Sequence, residues 1–272
     1  MAHIGVLQHL DGLSLKPELV TGTSMGALVG AWYCLNGSSD GLAAMVHDLF
    51  ESDLFEKLDL DELMDDDEGS RDSFEEFSRK TKVLFTLSKM VRRISVVEPG
   101  FMEPIMDRLF GDATFDDLKI PFVAVATDLY SGEDVALTQG RVATAVQASA
   151  SIPGVFPPVS LDGMLMVDGY VTKNVPVPEP GEPPNRADVI VVDVQRSLES
   201  NGPWENGIEV VARAEWIMQI QLNQHYLEQA DLVLVPDVRD VHWADFGRTD
   251  QLIEAGRLSA AEKEQEIIRL FG

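Results

Sequence analysis

The sequence predicts an α/β fold in which helices cover both faces of a mainly parallel central sheet. Near-continuous apolar runs at 121–128 and 187–194 are typical of strands that are buried on both faces. Segments with helical spacing of apolar residues alternate with such runs along the chain. With 272 residues, 45% of them hydrophobic, the chain can bury the core of one domain of this size. We therefore expect a single three-layer α/β/α domain over residues 1–272.

The first half of the chain is predicted to be largely helical. Apolar residues at helical spacing indicate a helix over 2–10, and a short apolar strand at 18–21 follows the breaker Pro17. The other helices predicted in this half are a strongly apolar one at 27–35, one that is capped near Ser39 or Asp40 and runs to Phe50, an amphipathic one over 71–97, and one over 100–110 that is closed by Gly111.

The second half is predicted to be rich in strands. Ser131-Gly132 turns the run at 121–128 back into a strand at 133–138, and Asp162-Gly163 joins two strands, of which the second ends at Asp168. The remaining elements are a helix at 141–150, strands at 187–194 and 232–236, a helix at about 207–230 and a helical tail from Thr249. Residues 59–110 are interpreted as a helical insertion and 196–272 as a carboxyl-terminal strand and helix part.

Composition restricts the partners and the compartment. With 46 acidic and 21 basic residues the net charge is −25, which disfavours nucleic acid, because its binders need basic surface to neutralise phosphates. The single cysteine, Cys34, cannot form an intramolecular disulfide, and no apolar run has the length of a membrane-spanning helix. The amino terminus lacks the pattern of a signal peptide. We therefore predict a cytoplasmic protein that is at most peripheral to a membrane.

The motif GTSMG at 22–26 lies between the first predicted strand and the apolar helix after it. It has the form G-x-S-x-G of a nucleophile elbow, in which glycines permit a sharp turn and the serine hydroxyl stands clear of the sheet. The amino terminus of the helix favours negative charge that develops beside the serine. A simpler interpretation is a glycine-rich turn in which Ser24 caps the helix.

A serine needs a base to act as a nucleophile, and two candidates follow in the chain. Asp168 ends a predicted strand, where an open α/β sheet presents functional groups, and Gly169 behind it permits another backbone segment to approach. An aspartate at a strand end is also a common turn residue. The alternative is a Ser-His-Asp triad, for which His242, in a loop-like stretch, is the best-placed histidine.

Four segments together resemble the patatin-like phospholipases, closest to their bacterial and archaeal branch. They are GTSMGALVGAWY, ATDLYSGEDVALTQG, ASASIPGVFPPV and LDGMLMVDGYVTKNVPV, and the similarity extends over about residues 3–195. The resemblance implies a patatin-like fold and a lipid acyl hydrolase with a Ser–Asp dyad, no catalytic histidine, and neither a metal nor an organic cofactor. It makes Ser24 the nucleophile and Asp168 the base, acting on a phospholipid or another acyl ester.

The implied chemistry requires a raised pKa of Asp168 and hydrogen-bond donors beside Ser24. An aspartate at its ordinary pKa of about 3.9 is a weak base at neutral pH, so we expect burial to raise the pKa of Asp168. The backbone N–H of Met25, at the start of the helix, is the expected oxyanion donor. Gly22 and Gly26 are expected to shape the elbow around it.

Two departures from the family pattern modify these expectations. Family members carry a strand and a glycine-rich loop, which supplies further oxyanion donors, just before the segment that matches AHIGVL, whereas this sequence starts at Met1. We expect either that the natural chain starts further upstream, which we favour, or that the protein is non-catalytic or depends on a partner. Tyr170 follows Gly169 where the family has a small residue, and both are expected to line the site, with the ring narrowing the acyl pocket or donating a hydrogen bond.

The basic amphipathic stretch at 71–97 lies where the family often carries a helical insertion near the mouth of the site. Its lysine and arginine residues suit transient docking on lipid phosphates. The simpler interpretation is an ordinary amphipathic helix packed on the core. If the stretch docks on membranes, charge reversal at Arg79, Lys80, Arg92 and Arg93 will abolish liposome binding.

Overall fold

The computed structural model describes residues 1–52, 92–178, 188–195, 198, 204, 206–238 and 246–271. The helices in these ranges are α1 (Ala2–Gly12), α2 (Met25–Asn36), α3 (Leu42–Phe50), α4 (Met102–Phe110), α5 (Val142–Ser149), α6 (Tyr170–Lys173), α7 (Gly207–Leu227), α8 (Thr249–Glu262) and α9 (Glu264–Phe271). The strands are β1 (Val20–Thr23), β2 (Phe122–Asp128), β3 (Asp134–Leu137), β4 (Val159–Leu161), β5 (Met164–Asp168), β6 (Ile190–Val192) and β7 (Leu232–Leu234). Within the described ranges, no helix combines the length and the apolar character needed to cross a membrane.

Five of these strands form one sheet around β2. β1 is parallel to β2, β3 and β5 are antiparallel to it, and β4 is antiparallel to β5. β6 and β7 form a separate parallel pair. The antiparallel pairs include the two hairpins predicted at Ser131-Gly132 and Asp162-Gly163, and both residues of the second turn have positive φ (51° and 82°), as a type I′ turn requires. The predicted α/β class is confirmed, and the sheet of the described residues is mixed.

Two strands share one edge of β2. Along β2, residues 122–125 pair with β1 and residues 126–128 pair with β5. β3 pairs with residues 124–127, so it overlaps both of these stretches. Because a strand has only two edges, β1 and β5 lie end to end along the edge opposite β3. β1 runs with β2 and β5 runs against it, so their carboxyl ends meet beside Val125 and Ala126.

Helices cover the sheet on both faces. Residues 124–128 of β2 are all buried, and successive side chains of a strand point to opposite faces. α2 packs so closely that a Cβ built on Gly30 would lie 3.0 Å from Val20 and 3.1 Å from Phe122. The largest apolar cluster joins α2, α4 and α5 to β2 and β5. The core therefore lies directly beneath the carboxyl end of β1, where the serine motif begins.

The backbones of α1 and α8 are in direct contact. A Cβ built on Gly5 would lie 1.8 Å from the carbonyl oxygen of Ile253, and one built on Gly256 would lie 1.9 Å from the carbonyl oxygen of Ala2. Buried side chains on either side of this contact join α1 to β7 and α9, and to α2 and α3. The helices at 249–271 are thus fixed to the first helix of the chain.

The predicted helix over 71–97 is wrong at its carboxyl end. Ser95 forms an isolated parallel bridge with Gly154, and the backbone N–H groups of Val96 and Val97 donate to the carbonyl oxygens of Gly154 and Val155. These backbone groups are used in strand-like pairing, so they cannot continue a helix. Residues 53–91 lie outside the described ranges, and the predicted docking of this stretch on membranes stays a prediction.

Candidate active site

Ser24 lies at a sharp turn between β1 and α2. Its φ of 55° and ψ of −121° form a conformation that side-chain-bearing residues rarely adopt. The turn depends on Gly22, because a Cβ there would lie 2.5 Å from the carbonyl oxygen of Gly26 and 2.7 Å from the nitrogen of Ala27. The Ser24 side chain makes no capping hydrogen bond to α2. The interpretation of Ser24 as a simple helix cap is therefore wrong, and the geometry is that of a nucleophile elbow.

The two glycines of the motif differ in the space that is available for a side chain, and this difference can be tested. Gly22→Ala is expected to open the elbow and to lower Ser24 reactivity at least about a hundredfold, because the new Cβ overlaps backbone that cannot yield without moving the nucleophile. Gly26→Ala is the matched control, since the nearest atom to its Cβ would be His3 Nε2 at 3.8 Å, an ordinary contact. Labelling rates with a fluorophosphonate measure both, and equal losses would contradict the assignment.

Asp168 ends β5 opposite Ala126 and is completely buried. Its Oδ1 accepts a hydrogen bond from the backbone N–H of Tyr170 at 2.9 Å. Burial raises the pKa of the Asp168 carboxyl to about 7, while the Ser24 hydroxyl and the Tyr170 N–H lower it by smaller amounts. Oδ2 accepts no hydrogen bond of normal geometry from the described residues, as is common in unliganded sites. The structure thus brings Ser24 and Asp168 together.

Gly169 permits the close approach that was predicted from the sequence. A Cβ built on Gly169 would lie 2.4 Å from the carbonyl oxygen of Val125 and 3.0 Å from Cγ2 of Thr23. Any side chain here would push β5 away from β1 and β2. The prediction that another backbone segment approaches Gly169 is therefore confirmed.

The end of α5 binds the backbone of both Ser24 and Asp168. The backbone N–H of Ser24 lies 3.2 Å from the carbonyl oxygen of Ser149 and 3.0 Å from its Oγ, and the N–H of Asp168 donates to the carbonyl oxygen of Ser151 at 2.9 Å. Ser149 Oγ in turn donates to the Val125 carbonyl oxygen at 2.6 Å. These serines were not singled out from the sequence, although they lie in the segment ASASIPGVFPPV that carries the resemblance. Only the fold shows that they bind the backbones of Ser24 and Asp168.

The start of α2 offers backbone donors for an oxyanion. The N–H of Leu28 donates to the carbonyl oxygen of Ser24, the first hydrogen bond of this helix. The N–H groups of Met25, Gly26 and Ala27 therefore have no acceptor within the helix. They lie at the positive end of the helix dipole beside Ser24, which suits the role predicted for Met25.

Side chains of α7 bind the three residues that follow Gly169. The Tyr170 hydroxyl donates to Glu215 Oε1 at 2.8 Å, and Gln219 Nε2 donates to the carbonyl oxygen of Val171 at 3.3 Å. The Tyr226 hydroxyl donates to the carbonyl oxygen of Thr172 at 3.4 Å. The hydrogen bond expected of Tyr170 is thus directed to a helix that sequence analysis had not connected with the site.

The remaining candidates add no further residue to the site within the described residues. His242, proposed for a triad, lies outside them. In the part of the chain that is described, no group of three His, Cys, Asp or Glu side chains is arranged to hold a metal ion. Cys34 is buried in α2, as a small apolar residue would be.

Comparison with known proteins relates the chain to one family. The sequence profile of the patatin-like phospholipases matches residues 1–180. An uncharacterized NTE family protein of Mycobacterium tuberculosis is 24% identical over 96% of this chain and 43% of its own length. Another, from Mycobacterium bovis, is 30% identical over 65% of this chain and 41% of its own length. The neuropathy target esterase sws of Drosophila grimshawi is 28% identical over 64% of this chain and 10% of its own length.

The matched region contains the elbow, the segment at the end of α5 and Asp168. The chain spans less than half the length of these curated relatives. The family profile nevertheless extends over most of the chain and includes Ser24, Asp168 and the serines at the end of α5. The chain belongs to the patatin-like phospholipase family.

Proposed function

We propose that this protein is a serine lipid acyl hydrolase that uses Ser24 and Asp168 as a catalytic dyad. Its family is one of phospholipases and esterases, which supports hydrolysis of an ester in general. The observation that carries the finer assignment is the burial of Asp168 beside a strained elbow serine, with its pKa raised to about 7. A buried carboxyl of this kind suits proton transfer at neutral pH better than a solvated one does.

In the proposed reaction the Ser24 oxygen attacks the ester carbonyl while Asp168 accepts its proton. The N–H groups at the start of α2 stabilise the negative charge on the carbonyl oxygen. Collapse of the tetrahedral intermediate breaks the bond to the alcohol, which leaves with the proton from Asp168. Water, deprotonated by Asp168, then hydrolyses the acyl-enzyme and regenerates the serine.

Intact mass after reaction with a fluorophosphonate tests the proposal. Attack by Ser24 displaces fluoride and leaves one phosphonyl group on the protein. We expect a single adduct that is absent in Ser24→Ala and strongly reduced in Asp168→Asn. Absence of an adduct on the folded chain would instead favour the non-catalytic or partner-dependent alternative, and labelling that survives Ser24→Ala would contradict the assignment of the nucleophile. Full activity in Asp168→Asn with loss in His242→Ala would select the triad.

The proposed substrates are phospholipids, lysophospholipids or other acyl esters, and the proposed setting is the cytoplasm, with transient contact to a membrane. Docking through 71–97 is part of this proposal. It rests on the basic, amphipathic sequence of that stretch. Liposome binding that is unchanged after charge reversal at Arg79, Lys80, Arg92 and Arg93 would remove it.

Tyr170 is expected to influence the acyl chains that are accepted. Tyr170→Gly removes a ring next to Asp168 and is expected to shift the preference toward longer or bulkier chains, measured with a series of nitrophenyl esters. Tyr170→Phe is the matched control, because it keeps the ring and removes only the hydrogen bond to Glu215. An identical chain-length profile in all three proteins would show that the ring does not line the acyl pocket.

A further inference from the structure

The outward face of α7 carries a stripe of exposed apolar side chains. Val211 and Met218 are 68% and 63% exposed, and Val210 and Ile217 are also exposed. Together with Ala214, which is exposed too, they lie at positions i, i+1, i+4, i+7 and i+8, which form one face of a helix. We call Val210, Val211, Ala214, Ile217 and Met218 the outer face of α7.

The outer face is a continuous apolar area on a strongly acidic protein. Further along the same side of the helix the residues become polar, with Gln221, Gln224 and His225 in exposed positions. About one residue in six of the chain is acidic (46 of 272), yet none of the five outer-face residues carries a charge. An apolar area limited to the first half of a helix in such an acidic protein indicates a contact with another apolar surface.

The side of the same helix that adjoins the outer face contacts the candidate active site. Glu215, Gln219 and Tyr226 donate or accept the hydrogen bonds that hold residues 170–172, directly after Asp168 and Gly169. A surface that lies against the outer face of α7 is therefore within about one helix diameter, about 10 Å, of the segment that holds the proposed base.

We propose that the outer face of α7 docks on the surface of a zwitterionic phospholipid membrane and presents the site to its lipids. This proposal rests on the proposed function, because the lipid is then both the docking surface and the source of substrate. Aliphatic side chains of an exposed helix enter the region between headgroups and acyl chains.

Two further observations favour a lipid surface of this charge. The guanidinium of Arg213 lies 5.9 Å from the ring centroid of Trp204 and 5.1 Å from that of Trp216, and tryptophan and arginine are suited to the headgroup level of a bilayer. The net charge of −25 repels an anionic membrane. A zwitterionic membrane therefore agrees with both the charge of the protein and the apolar outer face.

Flotation with phosphatidylcholine vesicles tests the proposal, using the Ser24→Ala protein so that no lipid is consumed. The Val211→Asp/Met218→Asp double variant is expected to bind at least about tenfold more weakly, because two apolar side chains no longer leave water. Both side chains are mostly exposed, so the fold does not depend on them. Leu258→Asp is the matched control, since Leu258 is an exposed apolar residue (48%) on α8 and is expected to leave binding unchanged.

The outcomes separate docking from catalysis. With Ser24 intact, the double variant is expected to hydrolyse a soluble short-chain ester normally and vesicle lipid poorly. Equal vesicle binding by the double variant and its parent, or no binding by either, would overturn the docking proposal even if Ser24 proves reactive. Vesicle binding that requires the outer face, without any Ser24-dependent hydrolysis, would overturn the proposed function alone. A change from dimer to monomer in light scattering, with vesicle binding intact, would assign the face to a second copy of the chain.

Discussion

Replacing Asp168 with asparagine is expected to lower ester hydrolysis about 10²–10⁴-fold and, at the same time, to make the protein more stable above pH 7. Activity is lost because asparagine cannot accept the Ser24 proton. Stability is gained because the folded protein no longer has to bury a carboxylate, whose pKa is about 7 in the fold. The gain is on the order of 4 kcal/mol well above pH 7.

The raised pKa of Asp168 determines how the stability of the folded protein changes with pH. A carboxyl whose pKa is higher in the folded than in the unfolded state stabilises the fold below its unfolded pKa, and this contribution is lost as the pH rises through about 7. Activity is expected to have the opposite trend, because the ionised carboxyl is the proposed base, so kcat/KM should rise with pH through the same region. The wild type therefore becomes more active as this contribution to its stability declines.

Urea unfolding at pH 5 and pH 8.5, together with ester hydrolysis, measures both effects. Asp128→Asn is an instructive control, because hydrogen bonds from the backbone of Leu165 and from Ser131 hold the pKa of the Asp128 carboxyl below its usual value. Its replacement is expected to destabilise the protein at neutral pH and to leave the base in place. A destabilised Asp168→Asn protein at pH 8.5 would contradict the assignment of Asp168 as a buried, poorly solvated base.

Alanine at Gly5 or Gly256 is expected to destabilise the protein by about 3 kcal/mol, because the new methyl group overlaps a carbonyl oxygen of the facing helix. Separating α1 from α8 would also open the apolar clusters on either side of their contact. Gly12→Ala is the matched control in the same helix, where a Cβ meets no atom within 4 Å. It is expected to be neutral or to stabilise by up to about 1 kcal/mol, as alanine does in helices.

The midpoints of urea unfolding of Gly5→Ala, Gly256→Ala and Gly12→Ala test this prediction. Equal stability of Gly5→Ala and Gly12→Ala would show that α1 and α8 do not need direct backbone contact. The expected loss at Gly256 is notable because that residue lies beyond the region matched by the family profile, which ends at residue 180. It would show that the helices at the end of the chain stabilise the motif-bearing part.

Most elements of the fold could be predicted because local sequence specifies them. The buried strand at 121–128 and the hairpin at Asp162-Gly163 depend on an apolar run and on turn residues with positive φ, and both agree with β2, β4 and β5 within one or two residues. Of the predicted strand at 187–194, residues 190–192 pair with β7 in the part of the chain that the structure describes. The predicted helix at 71–97 is wrong at its carboxyl end because Ser95 pairs with Gly154, and this tertiary contact overrides the helical pattern of apolar residues.

The site was less predictable than the fold. Ser24 and Asp168 were identified from an elbow motif, a strand end and a family resemblance. The contributions of Ser149, Ser151 and Glu215 depend on contacts between residues far apart in the chain, which no local pattern encodes. Sequence periodicity indicated that α7 is a helix, but its side chains reach residues 170–172 only because of how it packs.

The end-to-end meeting of β1 and β5 on one edge of β2 has a consequence for the order of folding. Ser24 and Asp168 are brought together by two non-local pairings, that of Val20 in β1 with Phe122 in β2 and that of Ala126 in β2 with Asp168 in β5. Such pairings form slowly compared with local helices and hairpins. The backbone of Ser24, with its positive φ, is also bound by Ser149 at the end of α5. During refolding, the reactivity of Ser24 is therefore expected to appear later than the circular dichroism signal of the helices. The rate at which Ser24 becomes reactive will then measure the formation of the long-range pairings.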